Sequence, residues 1–131
     1  MKYHVLTLFP EMIENTVNTS ITGRALKSGK ISLHTVNIRD FADNKHMRVD
    51  DYPYGGGAGM VMQAEPVFRA YESVRKESQA ARQGKKPRCI YLTPQGQVFR
   101  QTMVEELAME EELIFLCGHY EGIDERVLEE I

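Results

Sequence analysis

No stretch of this sequence approaches the roughly 18 consecutive apolar residues of a membrane-crossing helix, so a soluble chain is expected. The opening run MKYHVLTLFPEMIE has neither a long apolar core nor a small-residue cleavage site. It reads as a first strand and not as a signal peptide, which predicts a cytoplasmic address. Cysteine is scarce. Cys89 and Cys117 each lie in an apolar, strand-like run, where a free thiol behaves as a small hydrophobe in a reducing compartment, and no disulfide is expected. There is no GxxxxGK[ST] loop and no GxGxxG between a strand and a helix, so nucleotide hydrolysis and dinucleotide redox chemistry lose support. His4, His34, His46 and His119 are scattered without metal-ligand spacing, and no metal site is predicted. The serines lack a nucleophile elbow, which argues against a covalent hydrolase. What remains is a site built from backbone groups, aromatics and carboxylates. Such a site suits a cofactor that carries its own reactive group.

The chain has 131 residues, 42% of them hydrophobic and 27% charged, which is the size and composition of one globular domain. Its net charge of −3 conceals an asymmetry: fifteen of the 16 Lys/Arg precede residue 105, whereas ten of the 19 Asp/Glu follow residue 104. Basic residues gather between Arg69 and Arg88 and again in Arg24, Lys27, Lys30, Arg39, Lys45 and Arg48. Such patches can track a phosphate backbone, or they can be a solvated surface; charge alone does not decide.

The densest signal is DDYPYGGGAGMVM, from Asp50 to Met62, with four glycines in the five positions Gly55 to Gly59. Glycine costs more backbone entropy to order than any other residue, so this density calls for positive φ or close approach to a ligand. Its flanks are aromatic on one side and apolar on the other, unlike a polar Gly/Ser linker. Around it the sequence alternates strand-like and helix-like segments. Strands are expected at Tyr3–Phe9, Ile31–Ile38, Arg88–Leu92 and Leu113–Cys117. Helices are expected from Pro10 through Val17, from an N-cap at Ser20 to Lys27, over Glu65–Glu77, over Val98–Met109, and from Ile123 onward. Residues 78–86 read as a surface connection. This βα alternation predicts a parallel sheet with flanking helices. Thr93-Pro94-Gln95-Gly96 and Gly118-His119-Tyr120-Glu121-Gly122 both follow strand C-termini, where open α/β sheets place ligands, so the two loops should converge on one site. In the second loop the backbone can approach a flat ligand while Glu121 accepts hydrogen bonds from it.

The runs LTLFPEM, GRA, NIRDF, DDYPYGGGAGMVM, YLTPQG and CGHYEGIDERV occur in this order along the whole chain, which in these motifs resembles the bacterial tRNA (guanine-N1)-methyltransferases. The resemblance implies an S-adenosylmethionine-dependent enzyme that methylates N1 of the guanine 3′ to a tRNA anticodon. It also implies a SPOUT-type α/β fold with a trefoil knot, and a homodimer with its active site at the interface. Carried over position by position, the cofactor's adenosine pocket maps to Tyr91, Leu92, Thr93, Pro94, Gln95, Gly96, Gly118, Tyr120, Glu121 and Gly122. Asp50, Pro53, Gly55, Gly57 and Gly59 are implied to lie near the target guanine. Arg24, His46 and Arg48 are basic or titratable neighbours of these motifs, suited to tRNA phosphate or to plain surface duty. Members of the family continue with a further cofactor loop, a knot-completing segment and a C-terminal tRNA-binding domain. Residues 1–131 are therefore expected to form an incomplete N-terminal cofactor-binding domain, inactive by itself. The general base is expected beyond Ile131, which leaves Glu121 as the catalytic candidate here. The alternative reading is a non-catalytic RNA-binding or dimerisation module with an incomplete cofactor site.

Overall fold

The computed structural model describes residues 1–53 and 55–131; Tyr54 of the glycine-rich run lies outside the described residues. Strands β1 (Lys2–Thr7), β2 (Ser32–Asn37), β5 (Cys89–Leu92) and β6 (Glu112–Cys117) form a four-stranded sheet in the order β2-β1-β6-β5. Every pairing in it is parallel. A separate two-stranded antiparallel ribbon pairs β3 (Asp50–Asp51) with β4 (Val61–Met62), and it brackets the glycine run. Among the described residues six α-helices and a 3-10 turn at Ile38–Phe41 accompany them: α1 (Pro10–Val17), α2 (Ser20–Lys27), α3 (Ala64–Glu77), α4 (Gln79–Arg82), α5 (Gln101–Leu107) and α6 (Glu125–Leu128). The parallel α/β architecture and its four expected strands are present.

The core lies under α3. Val67, Ala70, Tyr71 and Val74 recur at helical spacing along one face of α3 and are buried, with Pro66 buried in its first turn. They meet Leu6 and Leu8 from β1 and the turn after it, Ile114 and Leu116 from β6, and Ile38, Val49 and Met62. Alternate strand residues share a face, so Leu6, Ile114 and Leu116 point at α3 together. The opposite face of β1 and β2 is covered by α1, which opens on Pro10, where a missing N–H costs nothing.

Several expected boundaries differ. The cap of α2 is Thr19, and Ser20 is its first residue. The surface connection contains the short helix α4, started by Ser78, whose buried side chain accepts the Ala81 N–H at 3.1 Å. The expected helix 98–109 is only Gln101–Leu107, because Arg100 is extended (φ −125°, ψ 163°) and Val98 and Phe99 are exposed. The last helix begins at Glu125 rather than at Ile123. Asp124 caps it, accepting the Arg126 N–H. No helix among the described residues is long and apolar enough to cross a membrane. Cys89 and Cys117 are free thiols, and burial pushes the Cys89 thiol up to about 11.

Candidate functional site

Neighbouring strands β1 and β6 lie at the point where the chain order reverses: from β1 the chain goes outward to β2, crosses to the far edge at β5, and returns to β6. At such a switch point the loops leaving the strand ends diverge and open a crevice. Phe9, just after β1, stacks edge-on against His119, just after β6, with ring centroids 5.3 Å apart, and His119 meets Tyr120 at 4.7 Å. The loop after β6 also touches β5. A Cβ at Gly118 would stand 3.2 Å from Tyr91 Cε2 and 3.5 Å from Ile123 Cδ1, so the backbone here passes closer to the Tyr91 ring than most side chains could tolerate.

The two loops enclose a cleft of about 400 Å³ lined by Tyr91, Leu92, Thr93, Pro94, Gln95, Gly118, His119, Tyr120, Glu121 and Gly122. Nine of the ten residues assigned to the adenosine pocket are therefore brought together. Gly96 stands outside the lining and instead closes the turn, its N–H donating to the Thr93 carbonyl at 3.1 Å. A second cleft, of about 450 Å³, shares Tyr91, Thr93, Gln95, Glu121 and Gly122 and adds Pro53, Val61, Ile123, Asp124, Glu125, Arg126 and Leu128. It joins the cofactor-side loops to the ribbon that carries the glycine run.

That ribbon is stitched to the loop after β6. The Glu121 N–H donates to the Met60 carbonyl at 2.9 Å, the Met62 N–H to Gly122 at 2.9 Å, and the Asp124 N–H to Met62 at 3.1 Å. Met62 and Ile123 thus form a parallel bridge. Within the run, Gly55 and Gly59 have φ of +84° and +87°, in the left-handed region that L side chains rarely adopt. Gly57 packs on Pro53, its notional Cβ 3.6 Å from Pro53 Cγ. Asp50 is half-buried in β3, its carbonyl accepting from Gln63 Nε2 and Arg48 Nε, each at 3.1 Å. The Arg48 guanidinium also lies 3.6 Å from the Asp50 carboxylate.

Other expected residues stay apart. Arg24 on α2 and His46 in the 42–49 segment are exposed and line neither cleft. Much of the basic run before Arg88 is already engaged: Arg69 pairs with Asp43 and Glu65, Arg75 with Glu72, and Arg88 with Glu106 and Glu110. Two side chains that composition alone did not single out do line a cleft. Asp124 is gripped by Arg126, with Nη2 to Oδ2 at 2.6 Å, and this guanidinium holds the Asp124 carboxyl below its usual range. His119 supplies the ring between Phe9 and Tyr120. Their signal was position, since both fall within ten residues of the β6 C-terminus.

The architecture and the site define a class, an open parallel α/β domain with a cleft of about 400 Å³ at the carboxyl edge of its sheet. Within that class, this chain belongs to the tRNA (Guanine-1)-methyltransferase TrmD family, which it matches over residues 1–131. It is 59% identical over 131 residues to the tRNA (guanine-N(1)-)-methyltransferase of Lachnospira eligens, covering 100% of this chain and 53% of that protein. It is 53% identical to the protein of the same description from Lachnoclostridium phytofermentans, covering 100% and 55%. The crystal structure of tRNA (m1G37) methyltransferase from Aquifex aeolicus superposes with a TM-score of 0.85 at 36% identity, over 98% of this chain and 56% of that one. The chain spans about half the length of the relatives it matches.

Proposed function

We propose that residues 1–131 form the N-terminal, S-adenosylmethionine-binding part of an enzyme that methylates N1 of the guanine 3′ to the anticodon in tRNA. The observation that carries this reading is the convergence of three segments at the sheet's carboxyl edge: the loops after β5 and β6, and the glycine-bearing ribbon clasped to the second of them. Family membership supplies the reaction class.

The residues present suit the cofactor. Leu92 is 56% exposed at the cleft, and Gly118, with no Cβ, lets the Tyr91 ring pack close against its backbone as one wall of a space of the size that small ligands occupy. Tyr91, Leu92, Thr93, Pro94, Gln95, Gly96, Gly118, Tyr120, Glu121 and Gly122 would hold the adenosine part. S-adenosylmethionine supplies the electrophilic methyl group. The chain's own contribution is orientation: Pro53 lines the second cleft and would border the space for the target base, with Asp50, Gly55, Gly57 and Gly59 on the same ribbon outside the cleft lining, and Glu121, in the loop after β6, would accept hydrogen bonds from its N–H edge. Arg24, His46 and Arg48 would contact tRNA phosphate outside the clefts. The SPOUT-type knot and the C-terminal tRNA-binding domain belong to the same reading, as does the cytoplasmic location. So does the homodimer, supported by the adjacent exposed side chains of Val98 and Phe99, 70% and 67% exposed.

The test is Glu121→Gln in the complete gene product. A lost charge-assisted hydrogen bond is worth roughly 1.5–3 kcal/mol. Methyl transfer to tRNA should fall by at least about tenfold and by more than the calorimetric affinity for S-adenosylmethionine does. Equal losses in both would make Glu121 a cofactor residue.

A further inference from the structure

Glu121 is exposed, yet its side chain is not loose on the surface. A Cβ added to Gly59 would land on Glu121 Cγ and lie 3.1 Å from its Cδ and Oε1, so the stem of Glu121 rests on the bare Cα of Gly59. Gly55 and Gly56 share the same left-handed backbone, at φ +84° and +76°, but a Cβ on either would meet nothing within 4 Å. Gly59 therefore differs from its neighbours in what occupies its missing side-chain position. The clasp reinforces the seat, because the Glu121 N–H is bound at 2.9 Å to the carbonyl of Met60, the residue after Gly59. Backbone and stem of Glu121 are thus both fixed by the glycine run. Among the described residues no donor reaches its carboxylate, which lines the cleft shared with Pro53, Tyr91, Thr93 and Gln95.

We infer that Gly59 is the positioning residue for Glu121: the Cβ it lacks is the space in which the Glu121 stem is seated and its carboxylate aimed into the cleft. The function of that aim rests on the reading of Glu121 as the carboxylate that meets the guanine. The seat itself rests only on the geometry. A carboxylate held by van der Waals contact and a main-chain bond, with its oxygens uncommitted, is ordered before the base arrives and gives up no internal hydrogen bond to receive it.

The test compares Gly59→Ala with Gly56→Ala in the complete gene product, the second reporting the cost of left-handed backbone alone. Two readouts are taken: kcat for methyl transfer to tRNA, and amide hydrogen exchange of Glu121, Met62 and Asp124. Gly59→Ala should lower kcat at least about tenfold more than Gly56→Ala does and should speed exchange at Glu121 selectively, with cofactor affinity within about twofold of wild type. In a Glu121→Ala background the extra loss should vanish, because the colliding stem is gone. If Gly59→Ala alone fails to fold, recovery of folding in the Gly59→Ala/Glu121→Ala double variant supports the seat, and failure of the double variant overturns it. Equal effects of the two glycine variants, or additive losses in the double variant, also overturn it. Should Glu121→Ala leave turnover intact while Gly59→Ala still disturbs exchange at Glu121, the seat stands and the guanine-facing role of Glu121 falls.

Discussion

At the sheet edge opposite the clefts, the buried side chains of His4 and Glu112 form a network with the exposed His34. His4 Nε2 lies 2.5 Å from Glu112 Oε1, His4 Nδ1 lies 3.0 Å from His34 Nδ1, and Glu112 Oε2 accepts the Gln79 N–H at 2.8 Å. A carboxylate can only accept, so His4 donates through Nε2 and, as a neutral ring, accepts at Nδ1 from His34. Burial lowers the affinity of His4 for a second proton. Glu112 is pushed up by burial, but the His4 hydrogen bond and the Gln79 N–H outweigh this and hold it below the ordinary value. Both folded values are depressed, so both groups contribute stability that is present at neutral pH and lost on acidification. The decline should begin as pH falls below about 6.5, where unfolded histidine protonates, and steepen through the carboxylate range near 4. Urea midpoints measured from pH 8 to pH 4 check this. Glu112→Ala should cost about 2 kcal/mol at pH 7 and flatten the acidic part of the curve. On the other edge, Gly118→Val places a branched side chain against the Tyr91 ring. It should weaken S-adenosylmethionine binding at least tenfold, about 1.4 kcal/mol, in a folded variant measured by calorimetry. The cleft residues were legible because glycine, proline and aromatic residues follow directly on strand-like runs. The His4–Glu112 pair was not, since its partners are 108 positions apart and neither neighbourhood signals the other.

At the scale of elements, strong periodicity carried the reading and short elements escaped it. Helix α3 was expected within one residue of its start and at its observed end, because five buried positions mark one face. β3 and β4 have two residues each, too few for any alternation to show, so the glycine run read as a loop when it is the tip of a ribbon. Exposed Val98 and Phe99 counted toward a helix that starts three residues later. The GRA run has an element-level reason that needs no ligand. A Cβ on Gly23 would lie 2.7 Å from the Asn18 carbonyl oxygen, so α2 can turn back on the end of α1 only with glycine there. Gly23→Ala should destabilise the chain by about 1–3 kcal/mol in denaturant titrations, leaving the spectral signature of the sheet unchanged.

For the whole molecule, the opposed charge of its two ends resolves into contact. The acidic final segment supplies Glu106 and Glu110 to Arg88, and the Glu130 carbonyl accepts from Lys86 Nζ at 3.2 Å. The chain's charge asymmetry is thus partly spent within the fold rather than held for RNA. The relatives are about twice as long, and the proposed function puts the rest of the site in their remaining length, so a polypeptide of these 131 residues alone should show no methyl transfer to tRNA in a radiolabel assay at saturating cofactor. Turnover from it would move the catalytic role onto Glu121 or Asp50. The sheet order has a further consequence, in time rather than in space. Among the described residues, central strand β1 precedes every other strand, yet one of its two neighbours, β6, follows them all, and Lys2 waits for Glu112 as its partner. Such non-local pairing closes slowly. Until it does, a nascent chain presents β1 as an open edge carrying Val5 and Leu6, able to pair with another copy as readily as with its own β6.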